Sequence, residues 1–83
     1  MVVHGRVQGV GFRMAVLRAA ATRGVSGWAR NRPDGTVEAV FEGEPAAVDS
    51  VVRFCGEGPR HAAVERVDVV DEVPEGISGF DVR

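Results

Sequence analysis

The hydrophobic pattern changes period across four residues. Before Gln8-Gly9-Val10-Gly11, the residues Val3, Gly5 and Val7 alternate with polar positions, the two-residue period of a half-buried strand. After it, Phe12, Ala15, Val16, Ala19 and Ala20 recur at the spacing of one helix face. Arg23-Gly24 ends that run, because glycine tolerates the left-handed conformation of a helix stop. A strand that turns through glycines directly into an amphipathic helix has few ways to fold. The helix must lie back over a sheet and bury its apolar face there.

The remaining segments supply that sheet. Val25 to Arg32 reads as a strand with Trp28 as its large residue, and Thr36 to Glu42 alternates with Val37, Ala39 and Phe41 on one face. Between them Arg32-Pro33-Asp34-Gly35-Thr36 is a turn: proline presets φ and glycine permits a positive φ. Gly43-Glu44-Pro45 opens a second helix, on which Val48, Val51, Val52 and Cys55 share a face until Gly56, Gly58 and Pro59 end it. Val64 to Val70 is a further strand, with Val67 and Val69 expected on one face, and Phe80 and Val82 mark a short last one. The order is β-α-β-β-α-β plus a terminal β segment. This is an α+β chain, a ferredoxin-like split βαβ sandwich with two helices on one face of a mainly antiparallel sheet. Seventeen valines against one leucine and one isoleucine suit a core built from strands.

The 83 residues make one domain, spanning 1–83. No apolar stretch approaches the roughly 18 residues of a membrane span, and no signal peptide is evident at the N-terminus. The single cysteine, Cys55, excludes an internal disulfide framework and a multi-cysteine zinc site. A cytoplasmic protein is the expectation. The formal net charge of −2 argues against a nucleic-acid binder, although all ten basic residues are arginine and none is lysine.

The candidate chemistry lies in Gly5-Arg6-Val7-Gln8-Gly9-Val10-Gly11-Phe12-Arg13. Free N–H groups at the start of a helix converge with the positive end of its dipole, which favours a bound anion such as phosphate. Successive amides in a glycine-rich loop can form a concave nest, and Arg13, in the first helical turn, can meet two phosphate oxygens with its planar fork. The loop is not a Walker A motif, which needs a lysine, and Met14 stands where a dinucleotide fingerprint needs its third glycine. Spacing alone leaves two readings: an anion cradle, or a tight structural turn followed by a solvated arginine. Asn31 also has two, since its amide can orient a water or can stabilise the adjoining turn.

Two stretches go further. Val3-His4-Gly5-Arg6-Val7-Gln8-Gly9-Val10-Gly11-Phe12-Arg13 strongly resembles the signature of the acylphosphatase family, and Gly27-Trp28-Ala29-Arg30-Asn31-Arg32-Pro33-Asp34-Gly35-Thr36-Val37-Glu38 resembles its second signature. The ending Gly76-Ile77-Ser78-Gly79-Phe80 is similar to that of bacterial members. The resemblance implies a small metal-independent hydrolase with the ferredoxin-like fold and no cofactor. Such an enzyme cleaves the carboxyl-phosphate bond of acyl phosphates to a carboxylate and inorganic phosphate, and acts as a monomer without nucleic-acid or membrane partners. It carries the phosphate-binding arginine onto Arg13, the water-orienting asparagine onto Asn31, and the amide cradle onto Gln8, Gly9, Val10, Gly11 and Phe12. Family members usually have several more residues before the first signature, so a shortened first strand is the expected departure here, with a cost in stability.

His4 and His61 are expected to be a strand and a loop residue without catalytic roles, and Cys55 to be packing. Arg6, Arg30 and Arg32 are expected at the surface, and Asp68, Asp71, Glu72 and Glu75 on a solvated face. Two rival functions remain at this stage. One is a carbamoyl-phosphate-handling or non-catalytic phosphate-binding module, like the N-terminal domain of the hydrogenase-maturation carbamoyltransferase, whose loop is very similar. The other is an RNA-binding module of the same strand order. That rival is disfavoured because such domains stack bases on strand aromatics, and the middle strands here offer only Trp28 and Phe41.

Overall fold

The computed structural model describes residues 1–83 and contains seven elements: β1 (Val2–Arg6), α1 (Phe12–Thr22), β2 (Ser26–Asn31), β3 (Val37–Glu42), α2 (Pro45–Glu57), β4 (Ala63–Asp68) and β5 (Phe80–Val82). They form one five-stranded sheet in the order β4-β1-β3-β2-β5. β1 is antiparallel to β3 and β4, β2 is antiparallel to β3, and only the β2–β5 pair is parallel. β3 therefore lies between β1 and β2, the two strands that α1 connects, and β1 lies between β3 and β4, the two that α2 connects. This interleaving is the split βαβ arrangement expected from the element order.

The two helices pack against each other, α1 on β2 and β5, α2 on β4. Phe12, Val16 and Ala20 of α1 and Val51 and Cys55 of α2 meet Val3, Val7, Val25, Ala29, Val37 and Ala39 from the sheet side to form the core. Phe12 is the largest fully buried side chain, and burial of such a ring contributes roughly 1.5–3 kcal/mol. It is also the first residue of α1, so the core fixes the position where the glycine-rich loop becomes a helix.

Two expectations differ in detail. Ala15 is only half-buried, because the buried stripe of α1 runs through Phe12, Val16, Ala19 and Ala20. β4 ends at Asp68 rather than Val70, and Val69 is 55% exposed. The ladder explains it: Asp68 pairs with Val2, close to the end of β1, so the residues that follow have little strand left to pair with. Alternation along β4 puts Val67 against the core, but Val69 lies past the paired stretch and loses its cover. No helix is long and apolar enough to cross a membrane.

Candidate active site

The segment between β1 and α1 takes its shape from two glycines. Gly9 has φ 72° and Gly11 φ 75°, and Gly11 is the N-cap of α1. Both sit in the left-handed region that costs a side chain about 1–2 kcal/mol. A Cβ added at either glycine would meet nothing within 4 Å, so it is backbone conformation rather than crowding by the protein that calls for glycine. Val10 packs against the core between them, while Gly9 and Gly11 are exposed. The loop is thus pinned at its middle and presents its two glycines outward.

From Gln8 to Met14 no main-chain N–H donates to an acceptor within the protein, and no side chain caps the helix. The first bond of the helix comes from the Ala15 N–H to the Gly11 carbonyl, at 3.1 Å. Leading helical donors without intrahelical acceptors are intrinsic to any helix start. Here the loop adds its own donors to them, and no acidic side chain stands in the first turn to neutralise the dipole.

These groups border a cavity of about 200 Å³ lined by Val7, Gly9, Gly11, Phe12, Arg13, Met14, Asn31 and Val82. Of the residues singled out in the sequence, Gly9, Gly11, Phe12, Arg13 and Asn31 are brought together here. Asn31, the last residue of β2, reaches the cavity because β2 ends beside the start of α1. Val10 faces the core instead. Gln8 is also absent from the lining: its side-chain amide Nε2 donates to the carbonyls of Arg32 and Thr36, at 2.8 and 3.0 Å.

The Arg13 guanidinium is held by its Nη1, which donates to a terminal main-chain oxygen of Arg83 at 2.7 Å. Arg83 is in turn docked by its main-chain N–H on the Ala29 carbonyl, 2.8 Å, and by its guanidinium over the Trp28 ring, 4.7 Å from the centroid. Four of the five N–H donors of Arg13 stay available around a side chain whose direction is set. Sequence reasoning did not find this contact or the part played by Val82, since both depend on β5 pairing parallel to β2, and neither residue carries a motif.

Other titratable groups lie outside the cavity. His4 pairs through Nε2 with Asp68 Oδ2 at 2.9 Å, and His61 sits exposed in the turn before β4. Cys55 is fully buried, and burial pushes its thiol up to about 12. Arg30 pairs with Glu38 at 2.6 Å, and Arg32 lies 3.9 Å from Asp34. Asp68, Asp71, Glu72 and Glu75 are exposed, as expected. A larger groove, of about 620 Å³, opens between β3, α2 and residues 69–74. It is lined by Glu42, Asp49, Asp71 and Glu72 and by no arginine, the wrong electrostatics for an anion.

The acylphosphatase family model matches residues 1–82. The chain belongs to the acylphosphatase family. A relative from Rubrobacter xylanophilus named Acylphosphatase is 60% identical over 82 residues, covering 98% of this chain and 74% of that one. The crystal structure of acylphosphatase from Bacillus subtilis superposes with a TM-score of 0.94 at 38% identity, over 99% of this chain and 92% of that one. A different kind of neighbour is full-length HypF in its phosphate- and nucleotide-bound form, with a TM-score of 0.88 at 25% identity; this chain is covered to 99% but spans only 11% of HypF. Family and relatives make this an enzyme of the acylphosphatase type and imply hydrolysis of acyl phosphates.

Proposed function

We propose that the chain hydrolyses acyl phosphates in the cavity between the glycine-rich loop and the end of β2, with the loop amides and Arg13 holding the phosphoryl group and Asn31 orienting the attacking water. The observation that carries this is the convergence on one small cavity of an unpaired run of N–H donors, an arginine held by a terminal main-chain oxygen, and an exposed amide side chain.

The chemistry asks little more of the protein. The water oxygen forms a bond to phosphorus as the phosphorus–carboxyl oxygen bond breaks in line with it. The carboxylate leaves with that electron pair and needs no proton, so no strong general acid is required. The proton lost by the water ends on inorganic phosphate. What remains is positioning and stabilisation of charge on the phosphoryl oxygens, which fixed amides and a guanidinium supply. Donors of this kind are worth roughly 10²–10³ in rate each. Asn31 can accept from the water with its Oδ1 and donate with its Nδ2, which fixes the water's lone pair toward phosphorus.

A second reading, a phosphate-binding or carbamoyl-phosphate-handling module, draws support from the likeness to a small part of HypF. One experiment separates the two: hydrolysis of benzoyl phosphate by the purified chain in excess EDTA, beside Arg13→Ala and Asn31→Ala. The enzyme reading predicts chelation-resistant turnover. Arg13→Ala should lose at least about 10²-fold of it, together with inhibition by phosphate. Asn31→Ala should lose turnover with a smaller change in phosphate inhibition. A folded wild type that binds phosphate without turnover would favour the module.

A further inference from the structure

Asn31 and the glycine-rich loop belong to different parts of the chain, yet in-line attack requires the water and the phosphoryl group to be aligned closely. A misplacement of about 1 Å can cost roughly 10²-fold in rate. Asn31 is exposed, ends its strand, and is followed at once by the Arg32–Thr36 turn, so its own packing does little to fix it.

The turn is strongly self-consistent. The Arg32 N–H donates to the Thr36 carbonyl at 2.9 Å and the Gly35 N–H to the Arg32 carbonyl at 3.1 Å, while the Asp34 carboxylate accepts from both the N–H and the hydroxyl of Thr36. That makes the turn rigid, and Val37, paired with both Asn31 and Val3, ties its base to β1, but neither contact reaches the loop itself. The hydrogen bonds joining residues 8–11 to the turn are the two made by Gln8 Nε2, one to each end of it. A single NH₂ group spends both of its protons on the carbonyls of Arg32 and Thr36. One of those belongs to the residue directly after Asn31, and Gln8 itself lies directly before Gly9.

We infer that Gln8 is a positioning residue: its side-chain amide clamps the Asn31-bearing turn to the glycine-rich loop and so sets the water-orienting group against the phosphate cradle. This rests on the roles proposed above for Asn31 and the loop, and it adds a side-chain role to the main-chain amide that Gln8 brings to the cradle. The geometry demands glutamine. A glutamate of the same length is acceptor-only when ionised and would set a carboxylate against two carbonyl oxygens. An apolar side chain would leave the two carbonyls only the N–H groups of the turn itself.

The clamp acts through Asn31, and that makes it separable from a merely structural role. Turnover of benzoyl phosphate and inhibition by inorganic phosphate are measured for wild type, Gln8→Met, Asn31→Ala and the double variant, with folding checked by circular dichroism. Gln8→Leu serves as a second probe should Gln8→Met fail to fold. The expected result is a fall in kcat of about 10- to 100-fold for Gln8→Met with phosphate inhibition nearly unchanged, and almost no further fall when Gln8→Met is added to Asn31→Ala. Gln8→Glu should be worse than Gln8→Met. Factors that multiply in the double variant, or phosphate inhibition lost as fully as in Arg13→Ala, would overturn the clamp while leaving Asn31 in its role. Full turnover by Asn31→Ala would instead remove the role of Asn31, and the clamp with it.

Discussion

At the scale of single residues, the loop combines conformations that only glycine holds cheaply with donors that nothing in the protein uses. Replacing Gly11 by alanine should destabilise the fold by about 1–2 kcal/mol, because φ there is 75°, and not through any clash. Urea denaturation checks the size of the effect; a loss well below that range would mean that the loop relaxes to another conformation. Cys55 gives a second residue-scale expectation. It is fully buried, with its thiol pushed up to about 12, so it should resist thiol reagents at pH 8 in the native protein and react only as fast as the chain unfolds. Rapid labelling of folded protein would contradict the packing of α2. Arg13 and Asn31 show what could and could not be read from the chain. Their residue types and places beside turns were visible. That they face one cavity was implied by the family resemblance but not by spacing, because residues 13 and 31 meet only through the pairing of the sheet and the docking of α1 on it.

At the scale of elements, β5 borders the cavity, which Val82 helps to line. It is three residues long, pairs only with β2, and delivers a terminal oxygen of Arg83 to Arg13. Its anchor is Phe80, whose ring lies 5.9 Å from that of Phe41 and packs against the core. The loop before it is tied by Glu42, whose carboxylate accepts from the N–H groups of Glu75, Gly76 and Ile77. Phe80→Ala should therefore cost about 2 kcal/mol of stability, below the range for a fully buried phenylalanine, and should also weaken phosphate inhibition by releasing Arg13. Thermal denaturation and inhibition measured on the same variant check both halves. Lost stability with unchanged phosphate inhibition would show that Arg13 does not need the Arg83 terminal oxygen. The helices and the β2–β3 hairpin were legible because period, proline and glycine mark them locally. The end of β4 was less so: Val69 and Val70 continue the valine pattern, but a strand lasts only as long as its partner, and partner length is not a local property.

At the scale of the whole molecule, pH dependence should come from carboxylates. Asp34 is held below the ordinary carboxylate range by its hydrogen bonds from Thr36, Glu42 by main-chain donors from Glu75, Ile77 and Gly76, and Asp68 by the hydrogen bond from His4. A carboxylate with a lowered folded-state value binds fewer protons folded than unfolded. Its contribution is complete above the ordinary range and is lost as pH falls through the lowered value. The urea midpoint should accordingly stay level down to about pH 5 and fall below about pH 4. Asp34 and Asp68 are exposed and Glu42 is only half-buried, so the decline should be shallow and should weaken further in salt. A midpoint that rises on acidification would contradict these assignments.

The layer arrangement followed from element order, since β-α-β-β-α-β with short connections leaves the split βαβ as a natural packing. The placement of the site followed less directly. It depends on the one parallel pair, β2 with β5, and on a glutamine side chain bridging two turns. Backbone amide NMR of the chain titrated with inorganic phosphate tests the central claim most directly. The account predicts saturable shifts at the amides of Gly9 to Arg13 and at the Arg13 side chain, with lesser ones at Asn31, all abolished in Arg13→Ala. Shifts confined to other surfaces, or saturable shifts at the loop that persist in Arg13→Ala, would contradict it.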